Sequence, residues 1–215
     1  MAAPQDTITE LRTQQVCQWL EKRNMHGVYC KTSEEAREEV MKLIPRGSLV
    51  GLGGSSTLIE SGLLEVLRDA DIRLLDRHKE GLSGDEIYEM RLKGLTSDVF
   101  ISGTNAITVK GQLVNCDGMG NRVASLMFGP KKVIVIAGVN KIVDSIDEGI
   151  ARVKTFASPM NNVRFGTEAH CAKTGICNDE ECIHPVRMCQ AWSIIEGQVQ
   201  SDRLHVVLAG EPMGY

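Results

Sequence analysis

No stretch of this 215-residue chain is basic enough to line a nucleic-acid groove, and the formal net charge is −4. Binding a phosphate backbone takes clustered Lys and Arg, so nucleic acid is not expected as a partner. Long apolar runs are missing as well. The clearest, residues 133–137, falls far short of the roughly 20 residues that a membrane-spanning helix needs. Met1 to Asp6 has neither a basic segment nor an apolar core, so no secretory signal is expected and the chain reads as cytoplasmic. Internal repeats and low-complexity segments are absent. Seven cysteines are too few for a disulfide scaffold of this length. What remains is 42% hydrophobic and 24% charged, enough for one core, and residues 1–215 are expected to form a single domain.

The stretch around which the chain is organised runs Ser48-Leu49-Val50-Gly51-Leu52-Gly53-Gly54-Ser55-Ser56-Thr57. It reads as a buried strand, a glycine turn and a helix start carrying three hydroxyls. Glycines permit a close backbone approach, and a helix start offers unpaired N–H groups to an anion. No Lys follows the last glycine, so this is no Walker loop, and the third glycine of the dinucleotide fingerprint is missing. A turn that merely starts a helix is the alternative.

Around it, helical and strand patterns alternate. Thr7-x-x-Glu10 reads as a capping box opening a helix with Ile8, Leu11, Val16 and Leu20 on its apolar face, and Thr32-x-x-Glu35 opens a second. These two helices make 1–45 a helical N-terminal region. Strands are predicted at 27–30, 72–75, 99–102 and 133–137, and helices at 85–92, 121–127 and 144–156. A tight hairpin is predicted between 107 and 115. From Ser158 the pattern lapses into a Cys-rich loop, 158–191, followed by strands at 192–196 and 204–209 that should pack on the main sheet. The order implies an α/β fold with a Rossmann-like, mostly parallel sheet, flanking helices, a small antiparallel hairpin and a Cys-rich C-terminal loop.

Four polar clusters fall at strand ends, where open α/β sheets place their ligand crevice. They are Gly53 to Thr57, Ser102-Gly103-Thr104-Asn105, Asn115 to Arg122, and Gly138-Val139-Asn140-Lys141. Each could be a turn by itself. Together they predict a pocket for a small anionic metabolite or phosphate-bearing cofactor, with Gly53, Gly54, Ser55, Ser56, Thr57, Asn105, Asn121, Arg122 and Asn140 as binding residues. Asp117, beside Arg122, is the acid–base candidate, and Lys141 can act on an anion as a point charge. Glu60 lies about a turn from the glycine loop. His26 and His78 have no motif partner and read as surface residues.

Cys171, Cys177, Cys182 and Cys189 fall within nineteen residues with the spacing C-x5-C-x4-C-x6-C. This is neither the paired C-x-x-C of zinc ribbons nor the close run of bacterial ferredoxins. Four soft thiolates, with His170 and His184 as alternative ligands, point to an iron–sulfur cluster or zinc rather than a hard cation. Reduced thiols or a loop-stapling disulfide are the alternatives. Cys17, Cys30 and Cys116 are scattered and read as small hydrophobes.

Gly103-Thr104-Asn105-Ala106-Ile107-Thr108, Asp117-Gly118-x-Gly120-Asn121-Arg122-Val123, Phe128-Gly129-Pro130-Lys131-Lys132-Val133 and Gly138-Val139-Asn140-Lys141-Ile142-Val143 resemble the LUD-domain family of lactate-utilisation proteins. The glycine loop matches too, as does the order Cys171, Lys173-Thr174-Gly175, Cys177, Arg187, Cys189. The resemblance runs from about Thr7 to Tyr215. It implies a Rossmann-like sheet related to ribose-phosphate isomerases, glucosamine-phosphate deaminases and CoA transferases, whose glycine loop commonly faces a phosphate or CoA-like group. It also implies a place in lactate oxidation alongside iron–sulfur or oxidoreductase partner subunits. Neither the catalytic glutamate motif of CoA transferases nor the acidic motif of the isomerase is matched. The expectation is an accessory or redox component of organic-acid utilisation. The rivals are a stand-alone phosphosugar isomerase or acyl/CoA transferase at the same crevice, and a non-catalytic binding module.

Overall fold

The structure, a computed structural model, describes residues 3–178 and 180–215. Met1 and Ala2, on which part of the leader reading rests, and Asp179 of the Cys-rich segment lie outside the described residues.

Six parallel strands form the main sheet in the order β1 (His26–Cys30), β10 (Leu204–Ala209), β7 (Lys132–Gly138), β4 (Val99–Ser102), β2 (Leu49–Leu52) and β3 (Arg73–Leu74). Alternation along β7 shows why the sheet is covered on both sides. Ile134 and Ile136 join Val50, Ile101 and Val207 in one buried cluster, while Val133, Val135 and Ala137 join Phe100, Val206 and Leu208 in the other. Against the first face pack α2 (Ser33–Lys42), α3 (Ser56–Glu60) and α4 (Leu63–Arg68), through Ala36, Val40, Leu58 and Leu63. The second face meets α1 (Pro4–Lys22), through Val16 and Leu20, and α6 (Asn121–Met127), through Leu126. It also meets a small mixed sheet ordered β8 (Ile142–Val143), β5 (Ala106–Thr108), β6 (Leu113–Asp117) and β9 (Ala191–Ile195).

Most predicted elements are present, and the departures have physical causes. The first helix starts at Pro4 rather than at a Thr7 cap, because proline suits the first helical turn, where N–H groups lack partners anyway. Its Ile8 and Leu11 are exposed, so only Val16 and Leu20 serve the core. Of the two closing strands only β10 enters the main sheet. β9 pairs antiparallel with β6, and its Ile195 reaches the core from the small sheet. Region 158–191 is not wholly loop. The helix α7 (Ile146–Arg152) continues through a π-helical turn, Val153–Ala157, into α8 (Ser158–Arg164), and α9 (His170–Thr174) follows. Pro159 looks like a helix stop, since it removes one amide donor and crowds the preceding turn. The wider π turn just before it accommodates that loss, so the helix goes on.

Candidate anion cleft and thiol cavity

A cleft of about 420 Å³ opens at the carboxyl edge of the main sheet. That volume lies within the roughly 300–1,000 Å³ of small-molecule sites. Its walls come from the segments after β2 (Gly54, Ser55, Ser56), β4 (Gly103, Thr104, Asn105) and β7 (Lys141), with Cys116 to Asn121, α8 and the chain end at Tyr215. Strand order therefore gathers three of the predicted clusters directly, and the β5–β6 hairpin carries the fourth over them.

The lining is strongly cationic. Arg77, Arg91, Arg122, Lys141, Arg164 and Arg187 face it, against the single carboxylate of Asp117 among the described residues. In a chain whose net charge is −4, this concentrates positive potential in one concavity. Arg77 is the least compensated. Its guanidinium makes no hydrogen bond or ion pair among the described residues. Burial, reinforced by Arg91, pushes it down to about 10. Arg91 gives one N–H to Met119 Sδ at 2.9 Å and leaves its Nε buried with no partner among the described residues. Arg164 stacks over Phe165, 4.5 Å from the ring centroid.

Arg122 behaves differently. Its Nε donates to Asp117 Oδ1 at 2.8 Å, one Nη to Gly103 O and Asn115 Oδ1, and the other to Asn105 Oδ1 and Cys116 O. All five donors are used, and the group clamps the loops after β4 and β6 together. Asp117 accepts from Arg122 and, at Oδ2, from Val123 N in the first turn of α6. Asn105 Oδ1 takes the Cys116 amide as well.

The other predicted residues divide in the same way. Gly54, Ser55, Ser56, Asn105, Asn121, Arg122, Asp117 and Lys141 line the cleft, whereas Gly53, Thr57 and Asn140 do not. Gly53 lies below, where an added Cβ would stand 2.3 Å from Ser102 Oγ. Asn140 holds the chain end, accepting from Met213 N and donating to Gly214 O. Glu60 accepts from Gly214 N. Thr57 accepts from Lys141 Nζ at 2.7 Å. The Thr57 and Ser55 hydroxyls therefore face Lys141 and Gly103 rather than capping α3, whose N-cap Ser55 makes no side-chain capping bond. Lys141 is 2% exposed. Burial, then the charges of Arg152 and Arg122, push its amine down to about 7.

Cys171, Cys177, Cys182 and Cys189 line a second, small cavity with His170, and no disulfide links any described cysteines. Burial and the three neighbouring thiols push the Cys171 thiol up. Asn162 Nδ2 donates to Cys171 Sγ at 3.5 Å, and Cys189 lies 2.8 Å from Ser158 Oγ. His184 lines the cleft instead. Cys116 is no isolated hydrophobe. Its thiol is hydrogen-bonded with Cys189, which pushes it well up and ties the cleft wall to the thiol cavity. Ser158, Arg187 and Met188 border both spaces. A tighter set of potential ligands lies at the opposite, amino edge of the sheet, where His26, Asp202 and His205 bring ligand atoms within 4.8 Å of one another. His26 and His205 are register partners there and stack at 4.8 Å, so His26 has a partner that no sequence spacing announced. His78 is half-buried, and burial next to Arg77 pushes it down.

Sequence reasoning missed Arg77, Arg91 and Arg164. Arg77 had a signal, since it follows the predicted strand at 72–75 and so marks a fifth strand end. Arg91 and Arg164 sit on helices, and no motif marks them.

Fold and site together define an α/β protein with a Rossmann-like parallel sheet and a cationic cleft at its carboxyl edge. The chain belongs to the LUD domain family, which matches residues 13–209. A DUF162 family protein from Deinococcus radiodurans, solved at 1.70 Å resolution, shares the fold at 17% identity and a TM-score of 0.52, over 94% of this chain and 98% of that one. Partial matches extend to ribose 5 phosphate isomerase A from Neisseria gonorrhoeae (17% identity, TM-score 0.34, 54% of this chain and 56% of that one). Another is eIF2B beta from Chaetomium thermophilum (15%, 0.37, 54% and 44%). No curated relative matches the chain.

Proposed function

We propose that the cleft binds a small, multiply charged anionic metabolite or phosphate-bearing cofactor, and that the protein serves organic-acid utilisation as an accessory or redox component. The observation that carries this reading is the cleft's charge: among the described residues five arginines and the Lys141 amine line it, against the carboxylate of Asp117. Packing gives no reason to withdraw the Arg77 guanidinium partly from water with no hydrogen-bond or ion-pair partner among the described residues, because an uncompensated charge is costly there. A bound anion supplies the missing partner, through charge-assisted bonds stronger than neutral ones.

The four thiols fit a soft metal in donor chemistry, and the crowding of Cys171 by its neighbours is what a cation relieves. Cys171, Cys177, Cys182 and Cys189 would hold it. An iron–sulfur cluster would supply one-electron transfer at the cleft wall, and zinc would supply structural ligation only. Ser158, Arg187 and Met188, which both cavities share, support coupling between the two. A stand-alone isomerase or acyl transferase is less well supported, since Asp117, the only carboxylate lining the cleft among the described residues, is committed to Arg122 and Val123.

Titration calorimetry with pyrophosphate tests the anion reading. Binding that weakens as salt rises and is reduced in Arg77→Gln is expected. Wild-type protein that takes up no pyrophosphate at millimolar concentration overturns it.

A further inference from the structure

We propose that the Lys141 amine condenses with the carbonyl group of an anionic ligand in the cleft, forming a reversible imine. The ligand class is a small carbonyl compound carrying a carboxylate or a phosphate. This inference rests on the reading of the cleft as an anion site and adds the chemistry performed there.

Lys141 lines the cleft from the turn after β7, yet its side chain is shut off from bulk water. Its hydrogen-bond partner is the Thr57 hydroxyl at 2.7 Å, not a carboxylate. Glu60, the nearby acid, already accepts from the Gly214 amide. A buried lysine kept only for packing would be served as well by methionine, at no cost in desolvation. Arg122 and Arg152 repel a charge at this position, and Arg152 is held in place by its bonds to Asn105 O and Asn140 O. Cation-crowded, desolvated lysines are the ones that react as neutral nucleophiles. The nearly neutral value reached by the amine agrees with that geometry.

The step balances without an added reactant. The Nζ lone pair forms a C–N bond to the carbonyl carbon, the π electrons pass to oxygen, and the amine's proton is transferred to that oxygen. The carbinolamine C–O bond then breaks as the nitrogen lone pair closes C=N, and the hydroxyl leaves as water with the remaining N–H proton. Thr57 aims Nζ, and Arg77, which has no ion pair among the described residues, holds the anionic group that offsets any charge on the imine nitrogen.

Borohydride trapping tests this on the intact protein, with pyruvate as the carboxylate probe, dihydroxyacetone phosphate as the phosphate probe, and labelled peptides mapped by mass spectrometry. At neutral pH Lys141 should be labelled more than about tenfold faster than the exposed Lys131 and Lys173, which are ion-paired with Asp98 and Glu168. Pyrophosphate should suppress the labelling. Labelling with one probe alone identifies the anionic group recognised. In Lys141→Met the site-specific label should vanish while circular dichroism is unchanged. The imine is overturned if pyrophosphate binds and neither probe labels Lys141 above the exposed lysines. Where pyrophosphate fails to bind as well, the anion reading falls with it.

Discussion

Asp117 and Lys141 have similar claims to chemistry in the sequence, and the fold treats them in opposite ways. Both Asp117 oxygens are committed, to Arg122 and to the start of α6, so its first duty is to hold two loops together. Asp117→Asn should lower stability by roughly 1–3 kcal/mol in urea unfolding, as expected for a buried charged hydrogen bond. Pyrophosphate affinity should change little, and a large loss of affinity without a loss of stability would return Asp117 to the ligand. Arg77 has the reverse profile. Its desolvated cation has no described partner, so Arg77→Met should raise the melting temperature while weakening pyrophosphate binding. Lys141 should leave a pH signature. Its amine titrates near 7 when folded and near 10.5 when unfolded, so between those values the unfolded chain holds more protons and stability rises with pH. Above about 9 the Cys17 and Cys30 thiols, pushed up to about 11 by burial, work in the other direction. The clean window is pH 7 to 9. Unfolding free energy should climb there in wild type and stay flatter in Lys141→Met.

At the scale of the element, the two glycines of the β2–α3 turn do different work. A Cβ at Gly53 would press on Ser102 Oγ at 2.3 Å and Cβ at 2.8 Å, within the packed sheet edge. The atoms nearest a Cβ at Gly54 are those of the Arg77 guanidinium, the tip of a flexible side chain. Gly53→Ala should therefore cost about 1–3 kcal/mol by overpacking. Gly54→Ala should keep the fold, displace Arg77 and weaken pyrophosphate binding. Equal melting losses in the two variants would refute this division. Neither glycine has a positive φ, so close approach rather than backbone conformation explains both.

Across the whole molecule, the cationic cleft and the thiol cavity are neighbours joined by the Cys116–Cys189 contact. If the four thiols hold a metal, protein purified without oxygen should carry iron or zinc. Cys177→Ser should lower the metal content and make the segment after α8 more sensitive to protease, and Cys17→Ser should do neither. Absence of both metals before and after reconstitution would leave the cavity as a set of reduced thiols. No described helix is long and apolar enough to cross a membrane.

By itself the sequence determined the parallel sheet, since the apolar run of β7, the β2–glycine–α3 unit and the alternation of patterns are local signals with direct steric causes. It also marked the strand ends where the cleft lies, because glycine and amide residues cluster where chain turns must be tight. Tertiary structure alone decided which of those residues line the cleft. Arg122 and Asn140 are as polar as any binding residue, but Arg122 also bonds Gly103 and Asn105 from the loop after β4, and Asn140 is held by Met213 and Gly214 at the far end of the sequence. Arg77, Arg91 and Arg164 join one site only because the sheet order folds their segments onto a common edge. The partnership of Cys116 with Cys189 arises likewise, since β6 pairs with β9 and draws together two thiols that lie far apart along the chain. Charge and hydrogen-bond commitments between distant segments are properties of the packed chain, and no local pattern encodes them.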